Sequence, residues 1–200
     1  IASGVSAKTG GFEPHPQVLF GPSQALLETN FTGKKVAILG GGDNAFENYF
    51  YIQSKGAKKT HLFARSIRAR KEFIERIKSE DVFLGAYTID AKTRQVNQPL
   101  YNYMNDYDYL IVMYGWSAQL DYAQSLSLHC NSQGFIITNA ARETSQKNVY
   151  AIGEVTQQLH PCCVTAMADG VTAAKAIQQK IEQKTTDSLI KKFTQHERNY

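Results

Sequence analysis

The stretch VAILGGGDNAFEN, residues 36–48, places three consecutive glycines between an apolar run and a segment with helical spacing. The apolar run, KVAIL at 35–39, has the length and composition of a strand that is buried on both faces. Asp43 stands where a helix cap is expected, and Gly56 ends the helical pattern. The apolar side chains between them are Ala45, Phe46, Tyr49, Phe50 and Ile52. The stretch therefore predicts a strand, a glycine turn and an amphipathic helix.

The segment THLFA, residues 60–64, has the composition of a second buried strand. A strand, a turn, a helix and another strand within about thirty residues have the size of one βαβ unit. Because such crossovers join parallel strands with a right-handed turn, we predict an α/β fold with a Rossmann-like parallel sheet.

Weaker patterns predict the remaining elements. Residues 66–79 carry basic side chains and then a short amphipathic helix, whose expected apolar stripe is Phe73, Ile74 and Ile77. Residues 82–96 have the alternation of an antiparallel strand or hairpin, which would be an insertion. The other expected elements are strands at 107–115, 134–139 and 148–155, a helix at 164–183 and a marginal tail helix at 184–200.

The composition is that of an ordinary globular chain, with 200 residues, 42% hydrophobic and 20% charged. No apolar run approaches the length of a membrane-spanning helix. The net charge of +4 is mild and no basic, aromatic-rich face stands out, so we expect neither a nucleic-acid nor a membrane partner. Cys130, Cys162 and Cys163 form neither a metal-ligand spacing nor a CxxC, which favours a reducing compartment. We therefore expect a cytoplasmic protein.

The pattern Gly40-x-Gly42-x-x-Ala45 matches the dinucleotide fingerprint with alanine in its third place. The first glycine permits a tight turn, the second lets the backbone approach a pyrophosphate, and the small third residue permits close helix packing. The helix that begins near Asp43 and Asn44 would offer N–H groups to the phosphates. A purely structural glycine turn is the alternative interpretation.

Arg65, Arg68 and Arg70 follow the second predicted strand, and no carboxylate occurs from Thr60 to Lys71. A carboxylate at this place would bind the ribose 2′-hydroxyl of NAD, whereas arginine suits the 2′-phosphate of NADP. Guanidinium groups bind phosphate in a bidentate manner, so the sequence favours NADP. The alternative is that these arginines only solvate a loop.

A second informative block spans residues 149–177. A short strand is expected to bring Gly153 and Glu154 to a sheet edge, ahead of a helix whose first turn lies near Val164. A carboxylate beside a helix N-terminus can bind a hydroxylated, phosphorylated ligand. By itself the block could equally be another packed βα turn.

With both blocks in place, the chain resembles the thioredoxin-reductase-like branch of the FAD-dependent pyridine nucleotide-disulfide oxidoreductases. GGGDNAFEN looks like the NADP turn GGGDTAxE of that branch. FARSIRAR is similar to its phosphate clamp HRRxxFRA, with Arg65 on the second arginine and Arg68 or Arg70 on the last. Ala64 departs from the first arginine of the clamp.

Three further segments extend the resemblance in chain order. MYGW at 113–116 sits where the family has a strand end with a glycine beside the nicotinamide, here Gly115. YAIGEV at 150–155 resembles the flavin-contacting FAAGDV, with Glu154 replacing the usual Asp. The opening IASGVSA looks like the IATGA strand that leaves the family's FAD domain.

The resemblance implies which residues would hold each cofactor. Contacts to NADP(H) are expected from Gly40, Gly42, Asp43, Asn44, Ala45, Arg65, Arg68, Arg70 and Gly115. Contacts to FAD are expected from Gly153, Glu154 and Val164. No catalytic side chain and no metal ligand is assigned, because in such enzymes the cofactors carry the redox chemistry.

The resemblance also implies a division of the chain. Residues 30–117 would form the NADP-binding domain, residues 1–29 and 118–183 would belong to an incomplete FAD-binding domain, and 184–200 would be a tail helix. The family's N-terminal FAD-binding half has no counterpart in these residues. We therefore expect Ile1 to be a cut end or to follow a missing upstream region.

The expected chemistry is narrowed by the residues at 23–26, Ser-Gln-Ala-Leu, which occupy the place of the family's CxxC. Without a thiol there, dithiol–disulfide exchange is unavailable at this place. We expect the complete protein to pass hydride from NADPH to FAD and then to a non-dithiol acceptor, either a small molecule or a small redox protein. The resemblance implies a homodimer, and the isolated chain is expected to be inactive. The alternative is a non-catalytic dinucleotide-binding or sensing module that has lost flavin chemistry.

Overall fold

The computed structural model describes residues 1–157 and 161–196, with side-chain surroundings as far as residue 188. The chain divides into two compact units. Unit 1 contains Ile1–Ser6 and Ser117–Tyr200, and unit 2 contains Ala7–Trp116. In chain order the strands are β1 (Val5–Ala7), β2 (Val18–Phe20), β3 (Lys35–Leu39), β4 (Lys59–Ala64), β5 (Val82–Leu84), β6 (Thr88–Asp90), β7 (Gln95–Gln98), β8 (Tyr103–Asp106), β9 (Tyr109–Val112) and β10 (Trp116–Ala118). The α-helices are α1 (Gln24–Glu28), α2 (Asp43–Ser54), α3 (Lys71–Arg76) and α4 (Cys163–His196).

Unit 2 is built on a five-stranded parallel sheet with the strand order β2-β9-β3-β4-β5. The predicted βαβ unit is β3, α2 and β4, and its two strands pair in parallel from Lys35 opposite Lys59 to Leu39 opposite Phe63. The α/β fold class with a parallel sheet and antiparallel strands is confirmed. Since all five strands run in the same direction, their carboxyl ends share one edge of the sheet.

The alternation of side chains along β3 explains why its apolar run is continuous. Val36 and Ile38 pack in a cluster with α2, which contributes Ala45, Phe46, Tyr49 and Ile52. Ala37 and Leu39 belong to a second cluster on the opposite side of the strand. That second cluster includes Val96 of β7 and Tyr107, so the antiparallel strands cover the other face of the parallel sheet. Both faces of β3 are therefore buried, as its sequence predicts.

The antiparallel insertion is the three-stranded sheet β6-β7-β8, and it begins later than predicted. The interpretation of residues 82–96 as one hairpin is wrong at its start, because β5 joins the parallel sheet beside β4. Phe83 stabilises this position by stacking on Phe63 with ring centroids 4.9 Å apart. The helix predicted within 66–79 is confined to α3, where Phe73 is buried but Ile74 is exposed.

Residues 7–29 fold with unit 2 rather than with unit 1. The resemblance implies instead that residues 1–29 are the trailing segment of the FAD-binding domain and a linker. In the structure, β2 pairs with β9 along the register Val18 to Leu110, and α1 follows it with Leu26 buried in the same core as α2. Because β2 has only three residues, its short apolar run gave no strand signal.

In unit 1 the described backbone is largely irregular before α4. The strands predicted at 134–139 and 148–155 are wrong, because these segments form only isolated bridges, Cys130 with Ile136 and Glu143 with Tyr150. A positive φ angle of 65° at Asn148 turns the chain at the start of the second predicted strand, and another of 64° at Arg142 turns it between the two.

The helix α4 is longer than predicted. It continues through the place where a separate tail helix was expected to begin, as far as His196. No glycine or proline occurs after Gly170, so the sequence holds no helix-breaking residue there. The last residues of the predicted tail, 197–200, lie outside the described residues. Within the described part of the chain, no helix has the length and apolar character needed to cross a membrane.

His61 of β4 is buried between the parallel sheet and the antiparallel strands. Its Nδ1 accepts a hydrogen bond of 2.6 Å from the Tyr107 hydroxyl, and the Tyr103 hydroxyl lies 2.9 Å from the same nitrogen. Nε2 lies 3.9 Å from the Asp81 carboxylate, which favours the tautomer with its proton on Nε2. Burial, together with the charge of Lys59, lowers the pKa of His61 to about 4. His61 is therefore neutral in the folded protein at pH 7.

The neutral His61 predicts a pH-dependent stability of unit 2. Between pH 6.5 and about 4 the unfolded chain binds more protons than the folded chain, because only the folded pKa of His61 is lowered. The free energy of unfolding should therefore fall as the pH is lowered through this window. Urea unfolding of His61→Asn should depend less steeply on pH in the same window. An unchanged slope would contradict the neutral state assigned to His61.

Candidate dinucleotide-binding site

The glycine turn lies at the carboxyl end of β3, where the backbones of three segments meet. Gly40 has a φ of +149°, and a Cβ there would collide with the carbonyl oxygen of Met113. A Cβ on Gly41 would collide with the carbonyl oxygen of Ser66, whereas a Cβ on Gly42 would enter open space. Gly41 therefore permits a close contact between two backbone segments, a role that sequence reasoning missed, while the open space at Gly42 leaves room for the approach to a pyrophosphate that the fingerprint predicts there.

The start of α2 differs from the predicted cap. Gly42 is the N-cap residue, and no side chain caps the first turn of the helix. Asp43 is the first helical residue, so the expectation that it caps the helix is wrong. Its carboxylate instead accepts a hydrogen bond of 2.8 Å from the backbone N–H of Arg70. The helix start thus presents backbone N–H groups and the positive end of the helix dipole at the glycine turn.

The loop after β4, residues 65–70, is called the arginine loop here. Backbone contacts hold it against the glycine turn. The N–H of Arg68 donates to the carbonyl oxygen of Gly41 at 2.7 Å. Arg65 and Arg68 have exposed side chains and line a cavity of about 590 Å³ together with Gly40 and Gly41. The remaining lining residues are Gly10, Phe12, Ser66, Tyr87, Ile89, Met113 and Tyr114. Two of the three predicted arginines and the predicted Gly40 are therefore brought to one cavity.

Arg70 lies outside that cavity, in a cluster of carboxylates. Its guanidinium is 2.9 Å from Asp43, 3.6 Å from Glu47 and 3.2 Å from Glu72. It also lies 4.7 Å from the centroid of the Phe73 ring. The positive charge of Arg70 is thus paired with three carboxylates. These ion pairs join the loop to the first turn of α2.

Two tyrosines form an aromatic wall of the same cavity. The hydroxyls of Tyr87 and Tyr114 are 3.1 Å apart. Burial raises the pKa of both hydroxyls, and the charge of the nearby Arg65 opposes the shift. The Tyr114 ring stacks on Phe12 with centroids 6.5 Å apart. Sequence reasoning missed this wall, although Tyr114 belongs to the MYGW segment that carries the family resemblance.

Gly115 lines a smaller cavity of about 230 Å³ that adjoins the first one, since Met113 and Tyr114 line both. The lining includes the predicted Gly42, Asp43, Asn44 and Ala45. Gly115 has a φ of +90°, which glycine adopts without strain. Arg68 lines both cavities, so the predicted residues of the fingerprint and of the arginine loop are neighbours.

Unit 1 has its own cavity of about 380 Å³, which Gly153 and Glu154 line. These residues lie in a 3-10 helix, Gly153–Val155, and not at the end of a strand as predicted. Val164 is 69% exposed and does not line this cavity. The other lining residues are Ala2, Gly4, Ile152, Cys162, Cys163 and Ala166. Residues 158–160 of the predicted 149–177 block lie outside the described residues.

A buried carboxylate that sequence reasoning missed supports the Gly153 turn. Asp169 of α4 accepts a hydrogen bond of 3.1 Å from the N–H of Gly153 and one of 2.7 Å from Nε of Arg142. Gly153 has a φ of +75°, where a side chain would be strained. Cys162 lies at the start of the same helix, and hydrogen bonds from Thr165 lower the pKa of its thiol.

A parallel sheet with a glycine turn at its carboxyl edge places unit 2 in the Rossmann-type class of α/β folds. The family pattern described as pyridine nucleotide-disulphide oxidoreductase matches residues 1–179. The chain belongs to the pyridine nucleotide-disulphide oxidoreductase family. Its place in the thioredoxin-reductase-like branch is confirmed, and homologues in that branch use FAD and NADPH, as the resemblance implied.

The chain is similar in sequence to individual thioredoxin reductases and ferredoxin–NADP reductases. Thioredoxin reductase of Borreliella burgdorferi is 24% identical over 157 residues, which cover 72% of this chain and 48% of the relative. Ferredoxin–NADP reductase of Malacoplasma penetrans is 27% identical over 169 residues, covering 74% and 50%. The crystal structure of Lactococcus lactis thioredoxin reductase in its FR conformation matches with a TM-score of 0.70 at 19% identity, covering 91% and 65%. The chain thus spans about half the length of the curated relatives it matches.

The glycine turn yields a prediction with a matched control. Gly41→Ala should destabilise unit 2 by about 1–3 kcal/mol, because its Cβ would collide with the backbone of Ser66. Gly42→Ala should cost at most about 1 kcal/mol, roughly the difference between glycine and alanine at an N-cap, because its Cβ enters open space. Urea denaturation of the two variants measures both values. Equal stabilities of the two variants would contradict the close contact assigned to Gly41.

Proposed function

We propose that unit 2 binds NADPH in the cavity between the glycine turn and the arginine loop. The main support is that one cavity at the carboxyl edge of the sheet is lined by Gly40, Gly41, Arg65 and Arg68 together. Gly42 has open space where a Cβ would stand, so a pyrophosphate could approach its backbone, and Gly40 and Gly41 let the turn pack against Met113 and Ser66. The unblocked first turn of α2 adds N–H groups for the same phosphates.

The residues of the arginine loop favour the binding of NADPH over the binding of NADH. The described residues that line the cavity include Arg65 and Arg68 and no carboxylate. A ribose 2′-hydroxyl is usually bound by a carboxylate, whereas a 2′-phosphate is bound by guanidinium groups. In this proposal Arg65, which directly follows β4, makes the main contact to the 2′-phosphate.

We assign Arg70 a positioning role instead of a phosphate contact. Its three ion pairs are at the surface and are individually weak. Together with the hydrogen bond from its N–H to Asp43, they fix the end of the arginine loop to the start of α2. Arg70 therefore acts on the nucleotide through the position of Arg65 and Arg68.

The residues that line the cavity of unit 1 are suited to form part of an FAD-binding site. Its lining is dominated by small residues, and Gly153 has a backbone conformation that excludes a side chain. Glu154 is placed to accept a hydrogen bond from a ligand hydroxyl. When both cofactors are bound, NADPH supplies a hydride that FAD accepts, and the protein contributes their positions. The chain spans about half of its curated relatives, so the remaining contacts would come from a further part of the complete protein.

The electron acceptor in this proposal is not a dithiol at the family's usual place. Ser23, which stands at the first position of that motif, is the N-cap of α1, and its hydroxyl accepts a hydrogen bond of 3.4 Å from the N–H of Leu26. These residues therefore have a structural role in a short helix. The acceptor would be a small molecule or a small redox protein.

The experiment is a fluorescence titration of the chain with NADPH and with NADH. Arg65→Ala should weaken NADPH binding by about ten- to a hundred-fold, since a hydrogen bond to a charged group contributes about 1.5–3 kcal/mol. NADH binding should stay nearly unchanged, because NADH lacks the 2′-phosphate.

Arg76→Ala is the control variant, since Arg76 is exposed and stacks on Phe50 away from the cavity lining. It should leave both affinities unchanged. Equal losses for the two nucleotides in Arg65→Ala, or tighter binding of NADH than NADPH by the unmodified chain, would overturn the NADP assignment.

A further inference from the structure

The arginine loop leaves part of a 2′-phosphate without partners. Ala64 stands where the resemblance places an arginine, and Arg70 is bound to Asp43, Glu47 and Glu72. A phosphate dianion has three terminal oxygens and accepts several charge-assisted hydrogen bonds. Arg65 and Arg68 line the cavity, and two guanidinium groups leave acceptor positions of such a phosphate open to further donors.

The Tyr87 and Tyr114 hydroxyls add hydrogen-bond donors to this cavity. Both side chains line the cavity that Arg65 also lines, and the Arg65 charge acts on both hydroxyls. The hydroxyl oxygens are 3.1 Å apart, so one phosphate oxygen could accept a hydrogen bond from each of them. The pair therefore offers two donors in the cavity that Arg65 lines.

The two rings are held in place by packing from both sides of the cavity. The Tyr87 ring lies 5.9 Å from Phe63. The Tyr114 ring stacks on Phe12 and is covered by Gly10, where a Cβ would lie 2.5 Å from the ring. Because the rings are fixed, the hydroxyls require little reorganisation to meet a phosphate.

We propose that the Tyr87 and Tyr114 hydroxyls are specificity-determining donors that bind the 2′-phosphate of NADPH together with Arg65. This inference rests on the proposed NADPH site and names two further residues of it. The hydroxyl pair supplies neutral hydrogen-bond donors to a loop that has Ala64 in place of an arginine and whose Arg70 is paired with carboxylates. A merely structural hydroxyl pair would not distinguish between nucleotides with and without a 2′-phosphate.

The test measures the affinities of Tyr87→Phe, Tyr114→Phe and the double variant for NADPH and NADH. Phenylalanine keeps each ring and removes only the hydroxyl, so the ring contacts and the fold are preserved. We expect each single variant to weaken NADPH binding by about tenfold and the double variant by more, with NADH binding unchanged within about twofold. The melting temperatures of the variants report whether each is folded, and either single variant that folds decides the test.

Tyr101→Phe is the matched control. The Tyr101 hydroxyl accepts a hydrogen bond of 3.4 Å from the N–H of Leu84, and the residue does not line the cavity. It should leave the ratio of NADPH to NADH affinity unchanged. Unchanged NADPH binding in the double variant, or equal losses for both nucleotides, would overturn the inference while leaving the proposed NADPH site intact. Failure of the unmodified chain to bind NADPH would overturn the proposed site and the inference with it.

Discussion

The close contact between the backbone of Gly41 and that of Ser66 is the constraint on which the candidate site depends. No side chain can be inserted there, since a Cβ on Gly41 would meet both the Ser66 carbonyl oxygen and the Ala64 Cβ. The contact brings the N–H of Arg68 to the carbonyl oxygen of Gly41. The loop that carries the arginines therefore packs directly against the glycine turn. The two predicted motifs together form one surface.

The three-layer arrangement of unit 2 supports this contact. The strand β3 is buried on both faces, so its carboxyl end is fixed between β4 and β9. The neighbouring strands β4 and β9 deliver Arg65 and Met113 to the same edge of the sheet. Parallel sheets regularly bind ligands at such an edge, since the loops there diverge around a crevice. The buried His61 of β4 and the aromatic rings around it have a different, structural role, because they fill the space between the parallel sheet and the antiparallel strands.

The sequence predicted those parts of the molecule whose signals are local. The strand, turn and helix at 35–54 were predictable, because a buried parallel strand and an amphipathic helix have distinct apolar patterns. The strands predicted at 134–139 and 148–155 failed, because short apolar runs do not reveal whether a partner strand exists. The roles of Arg70 and Gly41 depend on contacts with residues more than twenty positions away. Sequence spacing does not reveal such contacts, so the resemblance includes Arg70 among the expected phosphate contacts and gives Gly41 no role.

If the arginine loop binds the 2′-phosphate of NADPH, the chain should distinguish a phosphate on the ribose 2′ position from one on the 3′ position. Isothermal titration calorimetry with 2′,5′-ADP and 3′,5′-ADP measures this difference, because the two ligands carry the same phosphates and differ only in the position of one. We expect the chain to bind 2′,5′-ADP at least about tenfold more tightly than 3′,5′-ADP, as when one charged hydrogen bond is lost. Equal affinities for the two ligands, or no binding of either, would contradict it.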